Sequence, residues 1–115
     1  MKVLIADDTD SVCYALRLAL EYLGHEVIAT AADGEDALEQ YRKMQPELVF
    51  MDVRMPRMDG LTCTTRMSQL NPAARVVVIT AGRTTETEAR QAGARGFVEK
   101  PFELARLVEV IHEAA

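Results

Sequence analysis

Leu48-Val49-Phe50-Met51-Asp52, followed by Val53-Arg54-Met55-Pro56-Arg57-Met58-Asp59-Gly60, decides the fold. Four consecutive apolar residues end on an acid, and a loop follows at once. An alternating pattern would mark a strand with one wet face. A continuous run marks a strand covered on both faces, as in a parallel sheet. Similar runs stand at Val3-Leu4-Ile5-Ala6, Val27-Ile28-Ala29, Val76-Val77-Val78-Ile79 and Phe97-Val98. Amphipathic stretches separate them. Val12, Leu16, Ala19, Leu20 and Leu23 share one helical face, and Gly24 then offers a stop. Ala37, Leu38, Tyr41 and Met44 repeat the pattern before Pro46, and Leu61, Met67 and Leu70 repeat it before Asn71-Pro72. Leu104, Leu107, Val108 and Ile111 mark a last helix after Pro101. Between Thr84 and Gly93 only Ala89 and Ala92 can face a core, so the fourth helix is predicted to pack thinly.

Five β-α units in series predict an α/β fold, a single doubly wound parallel sheet of five strands with helices on both faces. The 115 residues make one domain, 1–115. Area scaling for a chain of this size gives roughly 6,300 Å² exposed when folded against roughly 18,600 Å² unfolded, which is enough burial for a core without staples. Thirteen Lys/Arg against eighteen Asp/Glu leave a net charge of −5, so the basic footprint of a nucleic-acid binder is absent. No apolar run reaches the ~18 residues of a membrane span. The opening Met1-Lys2-Val3-Leu4-Ile5 lacks a cleavable signal pattern, and Cys13 and Cys63 form neither a disulfide framework nor a zinc motif. A reduced, cytoplasmic protein is expected.

Ligands of such sheets sit beyond the carboxyl ends of the strands, where the strand order reverses. Asp7 and Asp8 follow the first run, Asp52 ends the third, Thr80 follows the fourth and Lys100 the fifth, while Thr30-Ala31-Ala32 after the second carries no obvious chemistry. Each residue alone has an ordinary explanation: a helix-capping turn, a turn acid, a strand-end hydroxyl, a solvated amine. Together on one sheet edge they make a site. Two unit charges ~5 Å apart cost about 3 kcal/mol at an effective dielectric near 20, so three carboxylates need relief. Lys100 can offset one charge and a divalent cation the rest. Oxygen donors without His or Cys favour Mg²⁺, Mn²⁺ or Ca²⁺ over zinc.

Asp7-Asp8, Asp52 with Met55-Pro56-Met58-Asp59-Gly60 behind it, Thr80-Ala81 and Lys100-Pro101-Phe102 together resemble the receiver domain of two-component response regulators. The resemblance runs from Lys2 to about His112. It implies a flavodoxin-like strand order 2-1-3-4-5 and a switch controlled by phosphorylation, with self-phosphorylation and self-dephosphorylation as its only chemistry. Asp52 would accept the phosphoryl group from a histidine kinase's phosphohistidine. Asp8 and Asp52 would hold Mg²⁺, with Asp7 contributing directly or through water and the backbone carbonyl of Arg54 as a further ligand. Thr80 and Lys100 would bind phosphoryl oxygens, and Phe97 would be a switch aromatic, with a plain core aromatic as the other reading. The partners implied are a histidine kinase or phosphotransfer protein, docking near the first helix and the strand-five loop, and a downstream protein target or an effector domain.

Thr80 and Lys100 lie 20 positions apart, two fewer than the family more often has, so a shortened fourth helix or a loop in its place is predicted. Arg54 and Gly82 stand two residues after Asp52 and Thr80, positions that the resemblance assigns to tuning of the phosphoryl lifetime. Arg54 would lean over the phosphoryl group, either shielding the bond or steadying the attacking water. Gly82 would leave the opposite side open, with the N–H groups of Ala81 and Gly82 accessible. Three other readings compete. A Mg²⁺-dependent aspartyl-phosphate phosphohydrolase needs a second acid near its nucleophile, where Arg54 stands. A flavin or nucleotide carrier needs a Gly-, Ser- or Thr-rich cradle in place of Asp7-Asp8. A receiver-like docking module that is never phosphorylated has no need of the full set of acids, Thr and Lys.

Overall fold

Each apolar run becomes a strand and each amphipathic stretch a helix. In the computed structural model, which describes residues 1–115, the order is β1 (Lys2–Ala6), α1 (Asp10–Tyr22), β2 (Glu26–Ala31), α2 (Gly34–Met44), β3 (Leu48–Asp52), α3 (Gly60–Leu70), β4 (Val76–Thr80), α4 (Glu86–Gln91), β5 (Gly96–Glu99) and α5 (Leu104–Ala114). The strands form one parallel sheet in the order β2-β1-β3-β4-β5. The order therefore reverses at β1, and β1 and β3 are neighbours, with Ala6 opposite Met51. Asp7 and Asp52 thus leave the sheet side by side.

Strand alternation explains why the runs are continuous. Val3, Ile5, Leu48, Phe50, Val77 and Ile79 point to one face, against Leu16 and Leu20 of α1 and Leu107 and Val110 of α5. Leu4, Ala6, Val49, Met51 and Val76 point to the other, against Ala37, Leu38 and Tyr41 of α2 and Cys63 and Met67 of α3. Both faces are dry, so neither parity of the strand can be polar. Full burial of a side chain such as Phe50 or Leu20 is worth about 1.5–3 kcal/mol relative to exposure. The folded chain exposes 6130 Å², close to the area expected for its size.

The helix stops follow the sequence. Gly24 takes φ 91°, and the next N–H, of His25, turns back to the carbonyl of Leu20 at 3.0 Å. The edge strand β2 is longer than its apolar run and only half-buried along most of its length. Helix α4 has six residues, as its short span predicts. Thr85 and Glu88 close its first turn with reciprocal hydrogen bonds, and Ala89 is its one buried residue, while Ala92 is half-buried. It is tied to α3 where Thr65 Oγ1 donates to the Ala92 carbonyl at 2.9 Å.

Four apolar residues expected on core-facing stripes are exposed: Met44, Leu70, Leu104 and Val108. Met44 and Leu70 sit in the last turns of α2 and α3. In α5 the buried stripe is Leu107, Val110, Ile111 and Ala114, so Leu104 and Val108 fall on the outer side.

Candidate functional site

The acid pocket is built by the ends of β1, β3, β4 and β5. The N–H of Asp7 donates to the Ala31 carbonyl at 2.9 Å, which carries the β1–β2 pairing one residue beyond Ala6. Asp7 is buried, and its Oδ1 accepts from the N–H of Thr9 at 2.9 Å. That bond fixes the turn into α1, whose N-cap is Thr9 itself with no side-chain cap. Neither Asp7 nor Asp8 is therefore the helix cap that the turn reading offered. Asp8 is exposed at the mouth. Asp52 ends β3 and is buried, and the loop after it is closed by the Gly60 N–H donating to the Val53 carbonyl at 2.8 Å. One carboxylate oxygen from each of Asp7, Asp8 and Asp52 lies within 4.8 Å of the others.

Lys100 shares its single charge between two acids. Its backbone N–H donates to the Thr80 carbonyl at 2.9 Å, and its Nζ bridges two acids, donating to Asp7 Oδ2 at 2.8 Å and to Asp52 Oδ1 at 3.3 Å. Burial and the charge of Asp7 push the Asp52 carboxyl above the usual carboxylate range, and Lys100 only partly opposes them. Burial disfavours the Lys100 ammonium, yet its bond to Asp7 and the charges of Asp52 and Asp7 hold its pKa above the ordinary lysine value. Three carboxylates against one ammonium leave the pocket anionic. Its all-oxygen donor set fits a hard divalent cation, with Lys100 to one side of it.

Thr80 Oγ1 accepts from the Gly82 N–H at 3.0 Å. The hydroxyl proton stays free to donate, since a hydroxyl both accepts and donates. The same bond corrects the expectation that the Gly82 N–H is accessible. Gly82 does not leave its side of the pocket open either. The guanidinium of Arg54 lies over it, and a Cβ at position 82 would stand 3.3 Å from Arg54 Nε and 3.4 Å from Nη2. Loops after adjacent strands make this contact, and Arg54 has no ion-pair partner. Asp8, Asp52, Arg54, Thr80 and Lys100 line one open cavity of about 310 Å³.

Phe97 is buried against Val78, Ala89 and Ala94, and its carbonyl accepts from Arg106 Nη2 at 2.8 Å. The sequence reading missed Thr9 and Arg106. Thr9 was within reach, because an Asp two residues ahead of a Thr is the pattern of a side-chain turn. Arg106 carried no local signal, since its partner lies on another element.

A family model described as the response regulator receiver domain matches residues 3–112. The chain is 36% identical to the chemotaxis protein CheY of Bacillus subtilis, over 97% of its own length and 95% of that protein's. It is 40% identical to the transcriptional regulatory protein ZraR of Salmonella typhimurium, over 97% of its own length and 26% of that larger protein. Among solved structures, a chain of the CheX-CheY-BeF3-Mg+2 complex from Borrelia burgdorferi matches with a TM-score of 0.91 at 31% identity, over 96% of this chain and 86% of that one.

Proposed function

The chain belongs to the response regulator receiver domain family, a family of phosphorylation-dependent signalling switches, and from that premise we propose that Asp52 is its phosphoacceptor. The observation that carries this reading is the meeting of Asp7, Asp8 and Asp52 around the Lys100 ammonium at the carboxyl edge of the sheet. In the transfer, an oxygen of Asp52 forms the new O–P bond while the P–N bond of a donor phosphohistidine breaks and the imidazole leaves. Asp8 and Asp52, with Asp7 directly or through water and the Arg54 backbone carbonyl, would hold Mg²⁺, which neutralises charge on the phosphoryl oxygens. Lys100 and Thr80 bind the remaining oxygens.

The switch follows from the same contacts. Asp52 turns from one negative charge into an acyl phosphate carrying about two, with new acceptor oxygens. The free Thr80 proton donates to one of them, and the loop toward α4 and the packing of Phe97 respond. Going from 1:99 to 99:1 needs about 5.5 kcal/mol, and two or three charge-assisted hydrogen bonds at ~1.5–3 kcal/mol each are of that order. A histidine kinase or phosphotransfer protein supplies the group, and a downstream protein reads the altered surface. The phosphohydrolase alternative is not favoured, because Arg54 stands where its second acid would be. No helix is long and apolar enough to cross a membrane.

The test is incubation with Mg²⁺ and a small phosphodonor, followed by borohydride reduction and peptide mass mapping. The expected result is one phosphate per chain, with position 52 converted to homoserine, and nothing when EDTA replaces Mg²⁺. Phosphate mapped to any other residue would sink the assignment.

Arg54 is the lifetime-tuning group in this reading. Its guanidinium covers the Gly82 side of the cavity, so it shields the acyl phosphate from water. Arg54→Ala is expected to hydrolyse its phosphate several-fold faster, on the order of 1 kcal/mol in barrier. Gly82→Ala adds a methyl that the guanidinium must move a few tenths of an ångström to admit. It should change the rate in the parent and have little effect in the Arg54→Ala background. Decay of the phosphorylated mass after donor removal measures both.

A further inference from the structure

Helix α1 carries a surface feature that the acid pocket does not explain. Tyr14, Leu18 and Tyr22 follow one another at four-residue steps, so they form a ridge along one face, and they are 64%, 50% and 79% exposed. Single exposed apolar residues are ordinary, but a contiguous ridge of two tyrosines and a leucine marks a surface that is covered in use. Small exposed residues, Ser11 and Ala15, border the ridge on one side. Arg17 and Glu21 border the other, and neither has an ion-pair partner within the chain.

We propose that this ridge is the interface of a homodimer in which α1 packs antiparallel against α1 of a second copy, about a two-fold axis at Leu18. Such an axis sets Leu18 against its own copy and Tyr14 against the second copy's Tyr22, so the ridge complements itself. It also keeps like edges together while reversing their direction. Arg17 then meets the second copy's Glu21, and Glu21 meets the second copy's Arg17. Parallel packing would instead set the Arg17–Glu21 edge against the second copy's Ser11–Ala15 edge, where neither charge finds a partner, so the charges select the antiparallel arrangement. Ser11 and Ala15 let the helices approach to the usual 8–10 Å or so. Two tyrosines and a leucine per copy bury on the order of 700 Å² in total, below the ~1,200 Å² of a long-lived interface. The dimer is accordingly concentration-dependent and exchanges quickly.

Sedimentation equilibrium of the intact chain from about 10 µM to about 1 mM, the range in which an interface of this size associates, tests the proposal. The weight-average mass of the parent is expected to climb from one copy toward two. Leu18→Glu places two carboxylates on the axis and is expected to stay monomeric with an unchanged far-UV spectrum. Val108→Glu, on the exposed side of α5, is expected to match the parent. Arg17→Glu is expected to weaken association about tenfold, and adding Glu21→Arg to restore it, since the pair is only exchanged between the copies. A parent that stays monomeric throughout, as it would if only a phosphodonor domain covers this ridge, overturns the proposal. So does failure of the double charge reversal to restore association, a result that does not depend on how Leu18→Glu folds.

Discussion

Asp52→Asn is expected to take up no phosphate from a small donor in the presence of Mg²⁺, and yet to be more stable than the parent in EDTA at neutral pH. The first outcome follows from the nucleophile. The amide has the shape of the carboxylate but no anionic oxygen to form the O–P bond, so uptake falls to background rather than by a fraction. The second follows from charge. Burial and Asp7 hold the native Asp52 carboxyl above its unfolded pKa, so the native state binds that proton more firmly than the unfolded chain does. The ionised group therefore subtracts stability. Its cost is absent below the unfolded value, near 3.9, grows as the pH rises toward the native value, and is complete above it. Replacing the carboxylate by the neutral amide removes that cost and leaves Lys100 bonded to Asp7. A gain of about 1 kcal/mol is expected at neutral pH, or roughly 4 °C in melting temperature, and it should vanish in acid below the unfolded pKa. Saturating Mg²⁺ should reverse the ranking, because a cation that binds the native parent better than the variant stabilises the parent by mass action. Thermal unfolding in EDTA and in Mg²⁺ measures both directions. A variant that melts below the parent in EDTA would show that Asp52 is not under electrostatic strain.

Much of this pocket is legible from sequence because it lies at strand ends, and strands that are dry on both faces announce themselves as continuous runs. Leu48–Asp52 and Val76–Thr80 are buried along their whole length, so the end of the first was placed on Asp52 and that of the second one residue short, at Ile79. The edge strand Glu26–Ala31 is half-exposed, which left a shorter apolar signal and a boundary drawn too tight. In α5 two apolar stripes are interleaved, and only the position of the sheet decides that Val110 and Ala114 are buried while Leu104 and Val108 are wet. Asp7 and Asp8 are indistinguishable as letters. The hydrogen bond of the Asp7 N–H to Ala31 and its ion pair with Lys100 turn one inward and leave the other at the mouth. The seat of Arg54 on Gly82 joins loops after β3 and β4, a contact that requires knowing that those strands are neighbours. Local physics was readable, and contacts across the strand order were not.

Gly60→Ala is expected to be among the most damaging methyls in the molecule, at about 3 kcal/mol or more. Gly60 opens α3 behind Asp59, whose Oδ1 accepts from the N–H groups of Leu61 and Thr62 at 2.9 Å each. Its backbone conformation is not the difficulty, since it is not among the positive-φ glycines. The difficulty is room. A Cβ at position 60 would overlap the carbonyl oxygen of Asp52 and stand 2.8 Å from its carbonyl carbon and 3.0 Å from Met51 Cγ. Two of those three atoms belong to β3 backbone, which is paired to β1 and β4 and cannot step aside. The start of α3 must lift instead, breaking the Gly60 N–H bond to the Val53 carbonyl. Gly24→Ala is the control. Nothing lies within 4 Å of its Cβ, but φ 91° makes a side chain strained there, so only about 1 kcal/mol should be lost. Urea unfolding should show the larger drop in midpoint for Gly60→Ala, with the slope unchanged. The same variant should also slow phosphate uptake, because the atom that the methyl strikes belongs to Asp52. A Gly60→Ala chain with parental stability would mean that α3 is not seated on the end of β3, and the loop that shapes the acid pocket would need another anchor.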